Sequence, residues 1–261
     1  MLLAMDIGNS SINMGIFGKQ GLLGRLTIPS RPRKPGKIYE NRIKAFLEKN
    51  SIEMPLKGVI ISSVVRELTG TLNDSVKDLT AGRPIIMSAS LKTGLILDVE
   101  EPEELGSDRI SNVVAVREIF GYPAVVVDFG TATSISAVKG RRFVGGAILP
   151  GMELMGEALF RGTSRLPRVD IWEAREEHRP PAVGKDTAMC IISGIIYGTA
   201  GAAERLISEM EEEEGCRFKV VITGGRSGTM TRFIRRRHYT DSDLTLKGLS
   251  LIYERNVRCM S

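Results

Sequence analysis

The chain opens the same way twice. Residues 1–18, MLLAMDIGNSSINMGIFG, give a short apolar run, Asp-x-Gly, small polar residues and a second apolar run. Residues 124–140, AVVVDFGTATSISAVKG, give that pattern again. With Asp6 set on Asp128 the two segments align without a gap, so that Gly8 falls on Gly130, Ser11 on Thr133, Ile16 on Val138 and Gly18 on Gly140. An apolar run bounded by turn residues reads as a buried strand, and two such runs around a small-residue turn read as a hairpin. A fold for this sequence must therefore accommodate two similar hairpins far apart in the chain.

The segments between them keep the same order. In the first half, Leu2–Met5 and Asn13–Phe17 are read as the arms of a hairpin. An exposed basic loop with several prolines follows at 28–37. Ile38, Ile43, Phe46 and Leu47 then recur at helical spacing. GVIISSVV (58–65) is nearly continuous in apolar character, as expected of a strand covered on both faces, and PIIMSA (84–89) predicts another. A helix is predicted over 103–120, ended by Gly121-Tyr122-Pro123. The second half restarts with a strand at 124–128 and an arm near 133–138, and GRRFVGGAILPG (140–151) supplies a turn, a third strand and an exit at Pro150-Gly151. A long helix runs to Gly215 with Asp186 as N-cap. KVVITGG (219–225) echoes GVIISSV, and 245–256 predicts a final amphipathic helix. The expected fold class is α/β, with two duplicated units divided at 1–120 and 121–261.

The 261 residues suffice for two domains of roughly 100–150 residues each. No apolar run approaches the roughly 20 residues of a membrane span, and the first residues lack the basic and apolar regions of a signal peptide. Three widely spaced cysteines, Cys190, Cys216 and Cys259, without clustered histidines exclude a disulfide framework and a zinc site and suit a reducing cytoplasm. The net charge of +5 is not accompanied by a nucleic-acid motif. The RRRH run at 235–238 is read as a solvated or anion-facing segment, and nucleic acid is not an expected partner. Trp172 is read as a packing residue, and neither His178 nor His238 is given a role.

An Asp-x-Gly hairpin places several backbone N–H groups and small hydroxyls in one concave turn, which suits phosphate oxygens. Its carboxylate would repel phosphate directly and suits instead a cation that neutralises phosphate charge. One such turn is an ordinary hairpin connection; two in register, each after a buried strand, point to phosphate binding. Neither G-x-x-x-x-G-K-[ST] nor G-x-G-x-x-G occurs, so the two usual nucleotide-binding loops are excluded. Thr223-Gly224-Gly225 ends a strand where backbone could approach a flat ligand, although the same residues also suit a plain turn. Asp108 and Arg109 lie at the positive end of the 103–120 helix. They read either as a cap or as a carboxylate base beside a cation that holds an anionic substrate.

MDIGNSS (5–11), LGSDRISN (105–112), DFGTATS (128–134), GGAILPGM (145–152), SRLP (164–167), GKDT (184–187), ITGG (222–225) and LKGLSLIYERN (246–256) together resemble the type III pantothenate kinases. These belong to the acetate kinase–sugar kinase–heat-shock–actin superfamily. The resemblance implies two duplicated ribonuclease-H-like (actin-like ATPase) domains with a nucleotide cleft between them. It implies ATP-dependent phosphorylation of pantothenate, the first committed step of coenzyme A synthesis, by a cytoplasmic homodimer using Mg2+ and K+ or NH4+.

Carried over by position, Asp6, Ile7, Gly8, Asn9, Ser10, Ser11, Ile12 and Asn13 would form the first phosphate loop. Thr131 would contact ATP, with Gly224 and Gly225 near the adenosine. Asp108 would be the general base. Val99, Gly106, Ser107, Arg109 and Thr187 would join it in the pantothenate site. Asp128 would hold the monovalent cation. The chain departs from the family at Val99, where many members carry a tyrosine. Ser10 and Ser134 stand for threonines and Ser107 for an alanine. Two other readings stay open: a kinase of the same superfamily acting on another hydroxy acid, and a non-catalytic regulator using the RRRH segment.

Overall fold

The structure, a computed structural model, describes residues 1–171 and 179–257. Trp172, His178 and Cys259 lie outside the described residues. The chain forms two compact units, and their division differs from the expected one. One unit joins Met1–Glu118 to the chain from Leu244 onward, and the other is Ile119–Asp243. The final helix thus belongs to the first unit.

In the first unit, β1 (Leu2–Ile7), β2 (Ser11–Gly18) and β3 (Gly21–Pro29) form an antiparallel meander. Helix α1 (Gly36–Lys49) leads to β4 (Gly58–Ser63), which pairs parallel with β1. Helix α2 (Arg66–Val76) and the short β5 (Ile85–Ile86) follow. A two-residue strand β6 (Ile96–Leu97) and a 3-10 turn (Pro102–Glu104) precede α3 (Ser107–Ile119). Hydrogen bonding orders the sheet β3-β2-β1-β4-β5.

The second unit repeats this plan. β7 (Ala124–Phe129), β8 (Ala132–Lys139) and β9 (Arg142–Pro150) form its meander. Helices α4 (Met152–Gly162) and α5 (Thr187–Glu214) precede β10 (Lys219–Thr223), which pairs parallel with β7. The one-turn α6 (Ser227–Met230) and β11 (His238–Thr240) complete it in the order β11-β10-β7-β8-β9. Helix α7 (Leu244–Val257) then returns to the first unit.

The duplication holds at the level of hydrogen-bond register, with one correction. Asp6 pairs with Asn13 across β1 and β2, whereas Asp128 pairs with Ser134 across β7 and β8. The first turn is Gly8-Asn9-Ser10; the second is Gly130-Thr131. A gapless alignment is therefore out of register beyond the turn, and the structural counterpart of Ile12 is Thr133, not Ser134. The backbone confirms the shift. Gly8 N–H donates to Ser11 O at 2.9 Å as Gly130 N–H donates to Ala132 O at 3.1 Å. Ser30 N–H donates to Ser10 O as Gly151 N–H donates to Thr131 O, both at 3.0 Å. The strand irregularity at Ile16/Phe17 recurs at Ala137/Val138, the matching place once the shift is made. Asn9 is the added residue.

Two cores cover the faces of the first sheet. Leu3, Met5, Ile7, Ile12 and Met14 pack with Tyr39, Ile43 and Leu47 of α1 and Leu68 and Leu72 of α2. On the other face Leu2, Ala4 and Ile60 meet Ile110 and Val114 of α3 and Leu246, Leu249 and Ile252 of α7. Strand residues alternate between faces, so one strand feeds both cores. Helices α3 and α7 approach backbone to backbone: a Cβ on Gly248 would lie 1.9 Å from Ser111 O. Beside that contact Thr245 Oγ1 donates to Asn112 Oδ1 at 2.8 Å.

Helix α5 carries the second core. Ile191, Ile192, Ile195, Ile196, Ala203 and Ile207 pack on Val125, Val127, Val220 and Ile222. Asp186 caps its start by accepting from Met189 N–H at 2.8 Å, and Gly215 ends it at φ 62°. Its length and apolar character would suffice to cross a membrane, but half of that window is buried inside the protein. A core helix has this character too.

Near the end of α5, Glu211 accepts from Phe218 N–H at 3.0 Å, Arg217 at 2.8 Å and Arg236 at 2.9 Å. Glu204 accepts from the backbone N–H of Arg235 and Arg236. Arg236 of the RRRH run is thus committed to the fold. Burial pushes the Glu211 carboxyl up, but the hydrogen bonds outweigh it and bring its pKa from 4.5 to about 2. A carboxyl depressed on folding stabilises the folded state above its unfolded pKa, and that contribution is lost as protons bind. The melting-temperature advantage of the wild type over Glu211→Gln is expected to be constant above pH 5. It should shrink as pH falls from about 4.5 towards 2. An advantage independent of pH across this window would remove Glu211 as an acid-sensitive tie.

Candidate active site

Parallel pairing of β1 with β4 sets Asp6 opposite Ser62. Ser62 Oγ donates to Asp6 Oδ1 at 3.0 Å and lies 2.9 Å from Ser107 Oγ at the start of α3. A line of hydrogen bonds thus joins Asp6, near the end of β1, to the residue next to Asp108. Ser62 is fully buried, which suits a fixed positioning group. Sequence reasoning gave it no role. The signal was there, since GVIISS ends in hydroxyl residues, but it acquires meaning only from the β1–β4 register.

The first turn is held by its own backbone and by Ser30. Ser30 Oγ donates to Gly8 O at 2.6 Å, and Thr27 Oγ1 donates to Asn13 Oδ1 at 3.0 Å. Asn9 and Ser10 are exposed, whereas Ile7 and Ile12 are fully buried in the core. Among the residues expected to touch phosphate, Ile7 and Ile12 can offer only backbone, because the period of a strand turns their side chains inward.

Asp108 lies in the first turn of α3, where the helix dipole favours a carboxylate. Its Oδ1 accepts from Arg109 N–H at 2.8 Å and lies over Gly106, where a Cβ would approach it to 2.5 Å. Burial lowers the Arg109 guanidinium pKa, and the neighbouring Asp108 charge opposes that fall. Gly106, Ser107, Asp108 and Arg109 thus form one contiguous group. Val99 is half-buried in the same unit, ahead of the 3-10 turn. Thr187 is the exposed first residue of α5 in the second unit.

In the second unit the register sets Asp128 between Ser134 on β8 and Thr223 on β10. Gly224 has φ +96° and closes on β7: a Cβ there would meet Asp128 Oδ1 at 2.4 Å and Phe129 O at 2.6 Å. Arg226 N–H donates to Phe129 O at 3.1 Å. Gly151 closes on the turn from the other side, within 2.2 Å of Thr131 O by the same measure. Asp128, Gly130, Thr131 and Gly224 are therefore brought together, while Gly225 faces open space. No group of three or more His, Cys, Asp or Glu suited to a metal occurs among the described residues. The carboxylates of Asp6 and Asp128 suit a cation that arrives with phosphate, since such ions take one or two protein carboxylates and fill the rest with phosphate oxygens and water.

Two meander-and-helix units, each with a small-residue turn after a carboxylate, define a duplicated α/β fold of the actin-like ATPase and sugar-kinase class. Solved structures share it. A conserved Baf family protein from Campylobacter jejuni matches with TM-score 0.61 at 20% identity, covering 98% of this chain and 99% of that one. The ROK hexokinase of Thermus thermophilus matches with TM-score 0.52 at 12% identity, covering 99% of each. The model of the type III pantothenate kinase family matches residues 2–209. The type III pantothenate kinase of Moorella thermoacetica is 38% identical over 259 residues, spanning 98% of this chain and 100% of its own length. That of Listeria monocytogenes is 37% identical over 258 residues, spanning 98% of each. The chain belongs to the type III pantothenate kinase family.

Proposed function

We propose that the protein transfers the terminal phosphoryl group of ATP to the hydroxyl of pantothenate, the entry step of coenzyme A synthesis. Family membership over nearly the whole chain carries this reading. The residues supply a mechanism consistent with it. Phosphoryl transfer depends on positioning and charge neutralisation more than on covalent help. The turns at Gly8–Ser10 and Gly130–Thr131 offer backbone N–H groups and hydroxyls to phosphate oxygens. Asp108 accepts the proton of the attacking hydroxyl, and Arg109 holds the pantothenate carboxylate. Ser62, bonded to Asp6 and Ser107, keeps turn and base in a common register. Gly224 lets a nucleoside approach the backbone beside Asp128, with Gly225 and Thr131 adjoining, and Thr187 joins the pantothenate contacts.

Asp6 would hold Mg2+ brought in with ATP, which when bound would neutralise phosphate charge, and Asp128 would hold K+ or NH4+. The enzyme acts as a cytoplasmic homodimer. In support, α5 presents exposed Gly194, Gly198 and Gly201 with open space above them beside exposed Tyr197. Each mid-helix glycine costs about 0.5–1 kcal/mol relative to alanine, a cost that close packing against a second copy would offset.

Purified protein with ATP and Mg2+ is expected to phosphorylate pantothenate in potassium buffer and to slow markedly when sodium replaces potassium. Equal rates in the two buffers would remove the large-cation role from Asp128. Phosphorylation of another hydroxy acid with pantothenate untouched would overturn the choice of acceptor.

A further inference from the structure

Beside the first turn, within the first unit, lies a cavity of about 350 Å3. Its polar lining is Asn9, Ser30, Arg31, Arg33, Arg66 and Glu67, and the start of α2 supplies the rest. Arg33 pairs with Glu67 at 3.2 Å. Among the described residues the side chain of neither Arg31 nor Arg66 has an ion pair or hydrogen bond. Two uncompensated positive charges therefore remain on one cavity. The first turn of α2 adds to them: Ser63 Oγ accepts from Val65 N–H at 3.1 Å and Val65 O from Leu68 N–H at 3.0 Å, but the N-cap Val65 has no side-chain acceptor for the N–H groups of Arg66 and Glu67. Its free N–H groups carry the positive end of the helix dipole.

Asn9 is the residue by which the first turn exceeds the second, so the matching turn of the second unit has no counterpart to it. Its exposed amide has no partner of its own. Ser30 belongs both to the cavity and to the turn: its hydroxyl donates to Gly8 O at 2.6 Å and its N–H to Ser10 O at 3.0 Å. The duplication is thus broken at one place, and the break faces a basic cavity.

We propose that this cavity binds a phosphate group between Arg31 and Arg66, with Asn9 at its rim, and that occupancy steadies the Gly8–Ser10 turn through Ser30. A phosphate dianion matches the guanidinium fork and has acceptor oxygens left for an amide and helix N–H groups. A cation or a neutral ligand would leave the two charges uncompensated. The phosphate comes either from free orthophosphate or from the end of a nucleotide triphosphate tail. The proposal does not depend on pantothenate being the acceptor.

Calorimetric titration of the full chain with orthophosphate, ADP and a non-hydrolysable ATP analogue tests it, on wild type, R31A/R66A and R31K/R66K. At least about tenfold weaker binding of orthophosphate alone in R31A/R66A, largely restored by the lysines, supports a free-anion site. The same loss for the ATP analogue with ADP unchanged supports a site for the terminal phosphate. Equal losses for all three ligands, or none, overturn the proposal. The unliganded melting temperature should be unchanged, because both arginines are exposed. Pantothenate turnover on the same wild-type sample reads the kinase function separately; its absence would sink that function without touching the binding result.

Discussion

Asp108→Asn is expected to lower turnover by about 10²–10⁴-fold, the usual worth of a positioned general base, while folding and nucleotide binding persist. Asparagine keeps the shape over Gly106 and the acceptor for Arg109 N–H at 2.8 Å, so little beyond the charge and the proton-accepting oxygen is lost. Steady-state kinetics should show the fall in kcat, with the nucleotide Kd near that of wild type. Unchanged turnover would take Asp108 out of the mechanism. It would also remove the main argument against a purely regulatory protein.

The second large effect is one of stability. Gly248→Ala would place a Cβ 1.9 Å from Ser111 O and 2.5 Å from its carbonyl carbon, both backbone atoms that no rotamer change can move. Helix α7 must then back away from α3, exposing parts of Leu246, Leu249 and Ile252. Overpacking of this kind costs about 3 kcal/mol. Gly70→Ala in α2 is the counterpart: nothing lies within 4 Å, and the residue is exposed. There a gain of about 0.5–1 kcal/mol is expected, because only backbone entropy changes. Chemical denaturation of the two variants checks the contrast; similar shifts in both would mean that α3 and α7 are not in the close contact described. Because α3 also carries Ser107 and Asp108, Gly248→Ala should reduce kcat in whatever fraction remains folded.

Much of this was legible in the sequence, where local signals were strong. Asp186 and Gly215 bound α5 as expected, because a side-chain cap and a left-handed glycine are written in adjacent residues. The 58–65 run shortened only to Gly58–Ser63. By contrast, β3 was hidden, since GLLGRLTIP has one exposed side and merges into the basic loop. Helix α2 was hidden because RELTGTLNDSV buries only a narrow stripe, Leu68, Leu72, Ser75 and Val76. Helix α4 follows Leu149-Pro150-Gly151, residues that signal a loop, and it buries only Met152 and Gly156.

The site shows the same division. Asp6, Asp108 and Asp128 announce themselves through turn and helix-start chemistry. Ser62, the added Asn9 and the link from Ser30 to Gly8 arise from long-range register, which no local window contains. The placing of α7 likewise could not be read from its own sequence, since an amphipathic helix fits any apolar sheet face.

That placing has a consequence for how the protein is made. The first unit is the first to leave the ribosome, yet the helix covering Leu2, Ala4 and Ile60 is the last described element of the chain. Until α7 has emerged, one face of its sheet lacks the cover of Leu246, Leu249 and Ile252. The contiguous second unit can meanwhile complete its fold as soon as Asp243 has emerged. The order of completion therefore reverses the order of synthesis: the half that begins the chain finishes second.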